Sequence, residues 1–380
     1  MSFRSVASAC FVVAVLSIHA CAPTKRERPH EELPPAGFVD DADRVELLRA
    51  IDHSLEGLRR TPPERLYPLG SETVRAADLL RTLELFRATV AAVRTVEDWN
   101  RLVPERFRVV RVHDDPYVFT GYAVPRLSAS RERRGPFRFP LYRLPDDLVD
   151  IDLGLFCEAC AGRVASGRLQ GRDVVPYYSR EEIEAGALAG RDLAIAWLSD
   201  PVDAFFLHVQ GAALLRFDDG SFMHLTYAGS NGRPFGNIGK FLVETGKLDR
   251  DRVSVEAIRS YLRAHPEEQP EVFRANPRYL FFRPVPLGPI GAMGVPLTPG
   301  RSLATDPLSV PFGAVAYIRT VRPGGSEGET PLQRFVLVQD TTPAIVGPDR
   351  ADVYWGVGET AQALASAMRA RGELHVLLAK

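Results

Sequence analysis

Apolar positions recur at helical spacing near the start of the folded part of the chain. In DADRVELLRAIDHSLEGLRR, Val45, Leu48, Ile51, Leu55 and Leu58 share one face, which predicts an amphipathic helix with Asp40 or Asp41 as its N-cap. A second helical pattern runs from about Ala76 to Val103, with a break near Thr95. The period then changes. FRVVRVHDDPYVFTGYAVP alternates apolar and polar side chains and carries Pro punctuation, as strands and turns do. From there to about residue 230 the pattern predicts mostly strands. In DAFFLHVQGAALLRFDDGSFMHLTYAG, two β-rich runs flank Asp218-Asp219-Gly220, a hairpin signal. A helix around Val255 to His265 ends at Pro266. Strands resume at Tyr279 to Val285, Ala314 to Val321 and Phe335 to Gln339, and Arg322 to Pro331 reads as an exposed loop. GETAQALASAMRARG predicts a helix closed by Gly372, and ELHVLLAK a last short strand. The fold class is mainly β with added helices, because the strands are too irregularly spaced for a doubly wound sheet.

Composition changes this picture little. The 380 residues suffice for two domains or one elaborated domain. A net charge of -1, with both signs interspersed, argues against nucleic acid as a partner. The first 21 residues look different from the rest. Arg4 precedes an apolar run from Ala7 to Ile18, too short to span a bilayer and matching a signal-peptide core. Ile18-His19-Ala20-Cys21 resembles a bacterial lipobox, whose Cys is acylated. The Pro/Glu/Arg run from Ala22 to Pro35 suits a tether. Lipidation at Cys21 is the expectation, with Ala22 directing the chain to the outer membrane on its periplasmic face. Plain secretion, with Cys21 incidental, is the alternative. Cys157 and Cys160 have no further CxxC or HxxxH partner for zinc, so a local disulfide is expected in an oxidising compartment, with a structural role or none.

Familiar catalytic constellations are missing. The sequence holds no GxxxxGK[ST] and no HExxH. His208, in an apparently alternating strand, reads as a packed or surface histidine. The polar signals that remain are Arg301 to Asp306, Gln339-Asp340 and Arg350-Ala351-Asp352. Each aspartate alone reads as a turn cap or a surface charge. An acid among aromatic neighbours can also donate a proton to a leaving oxygen. Asp352, just before Val353-Tyr354-Trp355, is of that type.

These residues fall in a wider pattern. It comprises Phe119-Thr-Gly-Tyr122, Pro176-Tyr-Tyr-Ser-Arg180, Ala196 to Gly211, Tyr227-Ala-Gly-Ser-Asn-Gly232, Asn276-Pro277 through Arg283, Gly294 to Pro299, and Arg301-Ser-Leu-Ala304 with Asp306. In order and spacing these pieces resemble the membrane-bound lytic murein transglycosylase A family, from roughly Phe119 to Lys380. The resemblance implies a double-psi β-barrel domain with a smaller inserted β domain. Its divisions are 1-21 for the signal peptide and lipobox, 22-39 for a linker, 40-123 for the helical N-terminal part of the barrel domain, 124-282 for the insert and 283-380 for the C-terminal three-aspartate region. It implies non-hydrolytic cleavage of the peptidoglycan bond between N-acetylmuramic acid and N-acetylglucosamine, leaving a 1,6-anhydromuramoyl end. Ordinary glycosidases use two carboxylates. Here the sugar's own C6 hydroxyl attacks, so one acid/base suffices. Asp352 matches that residue, and Asp340 and Asp306 match its supports. Thr120, Gly121, Tyr122, Gln210, Asn231 and Gly232 are the implied glycan contacts. Glycan strands, and a membrane through the lipid anchor, are the implied partners; no metal, cofactor or named protein partner is implied.

The chain also departs from the family pattern. Asp340-Thr-Thr-Pro-Ala-Ile-Val-Gly347 stands where the family usually reads Asp-x-Gly-Gly-Ala-Ile-Lys-Gly. Thr342 and Pro343 replace glycines, Pro343 also removing an N–H donor, and Val346 replaces a lysine. Gln210-Gly-Ala-Ala213 stands where Gln-Gly-Ser-Gly is usual. Two readings therefore stay open: an active lytic transglycosylase, and a non-catalytic peptidoglycan-binding lipoprotein with a degenerate site. An ordinary muramidase would need a second carboxylate.

Overall fold

Leu47, Ala50, Ile51, Ser54, Leu55 and Leu58 form the buried face of a helix at Arg44–Arg59 in the computed structural model of the chain, which describes residues 30–160, 163–323, 328–342 and 345–380. The expected signal segment, Cys21, residues 22–29 of the linker and Pro343 lie outside the described residues. The N-cap is Asp43, which accepts from the N–H groups of Val45 and Glu46. Asp40 and Asp41, the expected caps, are drawn instead to Arg301 and Arg334 on the sheet, at 2.8 and 2.7 Å. The apolar face shifts with the cap, and Val45 is 62% exposed.

The break near Thr95 is present. Helices Ala76–Ala92 and Val96–Arg106 meet there, and Thr95 and Asp98 form a reciprocal capping box. The segment from Pro201 to Gln210 corrects the sequence reading, because it is a helix rather than a strand. Asp200 caps its start, Pro201 occupies the first turn, and Gly211 closes it at φ 81°. End chemistry thus overrides the β-propensity of its aromatic and branched residues. The expected hairpin is shorter, pairing Ala212–Phe217 with Phe222–Ser230. Gly372 does not close a helix either. The helix ends at Ala367 and Gly372 lies inside the strand Arg369–Ala379, where a Cβ would stand 2.1 Å from the Arg319 carbonyl oxygen. Strands Val315–Pro323 and Glu329–Asp340 pair as far as Pro323 and Glu329, so the loop between them is shorter than the sequence suggests.

Two large sheets organise the chain. The eight-stranded sheet runs, in spatial order, His30–Glu31, Phe107–Arg111, Arg369–Ala379, Val315–Pro323, Glu329–Asp340, Ser302–Ala304, Arg350–Val357 and Tyr117–Val124. Tyr117–Val124 also pairs with Arg369–Ala379, so the pairing returns to an earlier strand and closes a ring of six. The first three helices pack on this sheet and share its apolar core, which includes Phe38, Phe86, Trp99, Tyr317 and Phe335. The six-stranded sheet takes all its strands from between Arg126 and Val285 and has its own core. A three-stranded sheet, Val149–Asp152, Val164–Gln170 and Asp173–Pro176, lies in the same stretch of chain. No helix among the described residues is long and apolar enough to cross a membrane.

Candidate active site

The short strand Ser302–Ala304 separates two of the aspartates. Ala304 pairs with Asp340 on one side and with Asp352 on the other. Two interstrand steps put their backbones roughly 10 Å apart. Asp352 then pairs with Thr120 across its other edge. The carboxyl group of Asp352 is buried, and its hydrogen-bond partners among the described residues are side chains. Its Oδ1 accepts from the Thr120 hydroxyl and from Arg350 Nε at 3.0 Å, and its Oδ2 accepts from Arg350 Nη2 at 3.1 Å. Arg350 reaches it because residues two apart on a strand point to the same face. Polar partners, rather than the expected aromatic flank, meet this carboxylate.

Asp340 is held differently. Its Oδ1 accepts from the N–H groups of Ala292 and Thr341, at 2.8 and 2.9 Å. Its Oδ2 accepts from the Tyr122 hydroxyl at 2.9 Å. Burial raises the Asp340 pKa above the usual carboxylate range; the three hydrogen bonds oppose that shift and the nearby charge of Asp352 adds to it. Burial and then the Asp340 charge hold the Tyr122 phenol far above its ordinary range. The Tyr122 and Tyr354 rings lie 5.3 Å apart and cover this side of the cluster.

Asp306 ties two loops together. Its Oδ1 accepts from Leu308 N–H at 2.9 Å and its Oδ2 from Gly347 N–H at 2.7 Å. The loop that departs from the family pattern is therefore pinned at Gly347. Val346 beside it is 76% exposed and lines a depression of about 330 Å³ with Val118, Thr120, Asp349, Arg350 and Arg369. Thr120 and Arg350, the two partners of Asp352, form part of this wall. No cluster of three or more His, Cys, Asp or Glu side chains among the described residues is placed to hold a metal.

This geometry can be set beside known proteins. Residues 118–283 match the MltA specific insert domain, and residues 301–378 match the 3D domain. The membrane-bound lytic murein transglycosylase of Agrobacterium tumefaciens, a crystal structure, is 34% identical, covers 92% of this chain and 97% of its own, and superposes with a TM-score of 0.77. The chain belongs to the membrane-bound lytic murein transglycosylase A family. Membrane-bound lytic murein transglycosylase A of Escherichia coli K12 is 28% identical over 371 residues, 92% of this chain and 89% of its own. The crystal structure of MltA from Neisseria gonorrhoeae is 26% identical, with 89% and 87% coverage and a TM-score of 0.72.

Not every residue that the family pattern suggested stands at the acid cluster. Thr120 and Tyr122 do. Gly121 lies between them with its Cα against other protein, where a Cβ would meet Ala365 and Trp355 at 2.7 Å, so it is a close-packing glycine. Asn231 is fully buried and its carboxamide is spent on backbone. Nδ2 donates to the Tyr178 and Pro277 carbonyls, and Oδ1 accepts from Tyr279 and Arg233 N–H. It has no group left for a glycan. Gly232, at φ 71°, packs on Ser166. Gln210 is exposed at the end of its helix. His208 is buried on that helix, 4.0 Å from the Tyr279 ring, and burial holds its pKa well below the ordinary value. Cys157 and Cys160 carry free thiols rather than the expected disulfide. A tight turn joins Cys160 N–H to the Cys157 carbonyl at 2.8 Å. In the sequence Arg350 stands only as part of the Arg350-Ala351-Asp352 signal with no role of its own, and Arg369 is not among the candidates. Strand alternation could have found Arg350 beside Asp352; Arg369 comes from a strand whose place opposite Thr120 no local pattern gives.

Proposed function

We propose that this protein cleaves the β-1,4 bond between N-acetylmuramic acid and N-acetylglucosamine of peptidoglycan and leaves a 1,6-anhydromuramoyl end, with Asp352 as its one acid/base. The observation that carries the assignment is the kind of partner each carboxylate has. Asp306 accepts from backbone N–H groups, and Asp340 from two such groups and the Tyr122 hydroxyl, so backbone fixed by the fold holds both. Asp352 accepts from two side chains, which can rotate away. Protonated Asp352 gives its proton to the glycosidic oxygen as the C1–O bond breaks. The C6 hydroxyl of the same muramoyl residue bonds to C1 and returns its proton to Asp352. The attack is intramolecular, so no second carboxylate has to place a water. Asp340 and Asp306 act as frame, the first orienting Tyr122 and the second holding the loop at Gly347.

On the same reading, the ring of six paired strands is the double-psi β-barrel, supplied by residues 40–123 and 283–380, and residues 124–282 are the inserted domain. The glycan lies in the groove between them, against Thr120 and Tyr122. Relatives named as membrane-bound and the lipobox-like sequence at Cys21 support a lipid anchor in the outer membrane.

A digest of purified sacculi by the protein lacking residues 1–21, read by mass spectrometry, tests the activity. Anhydro-ended muropeptides that vanish in Asp352→Asn support it. Reducing ends would replace it with hydrolysis. Val346 on the wall of the depression is the observation that favours the non-catalytic alternative, and sacculus binding without released fragments would establish that alternative.

A further inference from the structure

Both oxygens of Asp352 are occupied by donors. Thr120 and Arg350 Nε converge on Oδ1, and Arg350 Nη2 sits on Oδ2. A carboxyl group that is to give up a proton must first carry it on an oxygen; Oδ2, with one N–H donor, keeps a lone pair for it, but a guanidinium across both oxygens pairs with the carboxylate and not with the neutral acid. Withdrawal of Arg350 therefore favours the neutral acid from which the reaction starts. The Asp352 side chain is 7% exposed and that of Arg350 is 36% exposed, so Arg350 is the partner able to move. Its backbone stays fixed by strand pairing with Val118. Its guanidinium already faces the depression of about 330 Å³ that lies against the acid, and it keeps a second contact there, Nη2 to Thr120 Oγ1 at 3.3 Å. Arg369, across the pairing from Thr120, lines the same wall, so the depression presents two cations to whatever enters it.

We propose that Arg350 is a positioning residue acting as an exchangeable counter-ion for Asp352: it orients the carboxylate in the resting site and is drawn into the depression by acceptor oxygens of the incoming glycan, which frees Asp352 to take up its proton. This rests on the activity proposed above. The proton that Asp352 then delivers to the leaving oxygen is returned from the C6 hydroxyl, and Arg350 resumes its place once product departs. The other charged or titratable groups about Asp352 are Asp349 on its own segment, Tyr122 on the neighbouring strand, Asp340 beyond Ala304 and Arg369.

The test compares wild type, Arg350→Gln and Arg350→Lys on sacculi, with kcat and KM followed from about pH 4 to 9. For Arg350→Gln we expect kcat to fall on the order of 10- to 100-fold, because the carboxylate loses its orientation. The high-pH limb of its kcat/KM profile, which reports the free enzyme in which Arg350 faces Asp352, should also move upward, because a neighbouring cation is gone. Arg350→Lys should restore the limb, since charge is kept, but not kcat, since the fork is lost. A uniform loss of kcat with an unmoved limb, or a rise in KM alone, would overturn the proposal. Should Arg350→Gln fail to fold, Arg350→Lys decides: reduced kcat with a wild-type limb supports the proposal, and wild-type kcat overturns it. A wild-type protein that releases no anhydro fragments sinks the activity and this proposal together. An active enzyme with an unmoved limb in Arg350→Gln sinks this one alone.

Discussion

The carboxylate of Asp306 accepts the backbone N–H of Gly347 at 2.7 Å. This contact links the loop after Ala304 to the loop that leads into Asp352, 41 positions later. It fixes where Val346 and the wall of the depression stand relative to the acid. Asp306→Ala should therefore cost activity more than stability. Losing charge-assisted bonds to two N–H groups in a half-buried place costs about 1–3 kcal/mol. Turnover should fall by 10-fold or more as the loop loses its tether. Denaturant unfolding and muropeptide release, measured on the same preparation, check the two effects. Full activity would remove Asp306 from the frame.

Asn231 offers the opposite case. Its carboxamide makes four hydrogen bonds to backbone and reaches no solvent. Asn231→Ala takes this partner from two carbonyls and two N–H groups, and should destabilise the fold by about 2–4 kcal/mol. Among molecules that remain folded, KM should not change. A raised KM at unchanged stability would return Asn231 to the glycan contacts.

The pair Asp40–Arg301 anchors the N-terminal segment to the sheet. Both side chains are buried, at 2.8 Å, and Arg301 also donates to the carbonyls of Asp43 and Phe335. Burial lifts the Asp40 pKa above its ordinary value in spite of Arg301, and lowers that of Arg301. Removing one partner strands the other charge, so Asp40→Ala should cost about 3–5 kcal/mol. Asp40→Ala with Arg301→Met should recover part of that loss. A double-mutant cycle in urea measures the coupling.

Buried and half-buried histidines make stability depend on pH. His208 has its pKa held well below the usual value, by burial and then by the Arg180 charge, and burial also lowers His53, His224 and His375. The unfolded chain takes up these protons near pH 6.5 and the folded chain does not. The unfolded state therefore binds more protons below that point, and stability rises with pH there. Their contribution is complete above about pH 6.5 and is lost as pH falls below it, by up to about 1.4 kcal/mol per pH unit for each histidine that stays neutral. Unfolding free energies at pH 7.0 and 5.5 should show the drop, and His208→Gln should reduce its slope by about one proton. An unchanged slope would mean that His208 charges in place.

Local chemistry made much of the fold legible. The Thr95–Asp98 box, the turn at Asp218 to Gly220 and the Val255–Ala264 helix follow from capping, turn residues and periodicity, which act over a few residues. The same rules, applied to β-propensity alone, misread Pro201–Gln210 because Asp200 and Gly211 decide that segment from its ends. They misplaced the first cap because Asp40 and Asp41 have partners in Arg301 and Arg334, more than 250 positions away.

The sequence by itself determined the class of fold, the three aspartates and the family to which the pattern belongs. It singled out Asp352 without saying why this carboxylate, and not Asp340, should move a proton. Only the tertiary structure decided what each carboxylate meets. It set Asp340 and Asp306 against backbone N–H groups, and gave Asp352 the side chains of Thr120 and Arg350. It also spent Asn231 on the backbone of the loops around it, at Tyr178, Arg233, Pro277 and Tyr279. The reason is one of range. Periodicity and propensity report on neighbours a few residues apart, whereas Thr120 and Asp352 meet across 232 positions through a strand pairing that exists only once the ring of strands has closed.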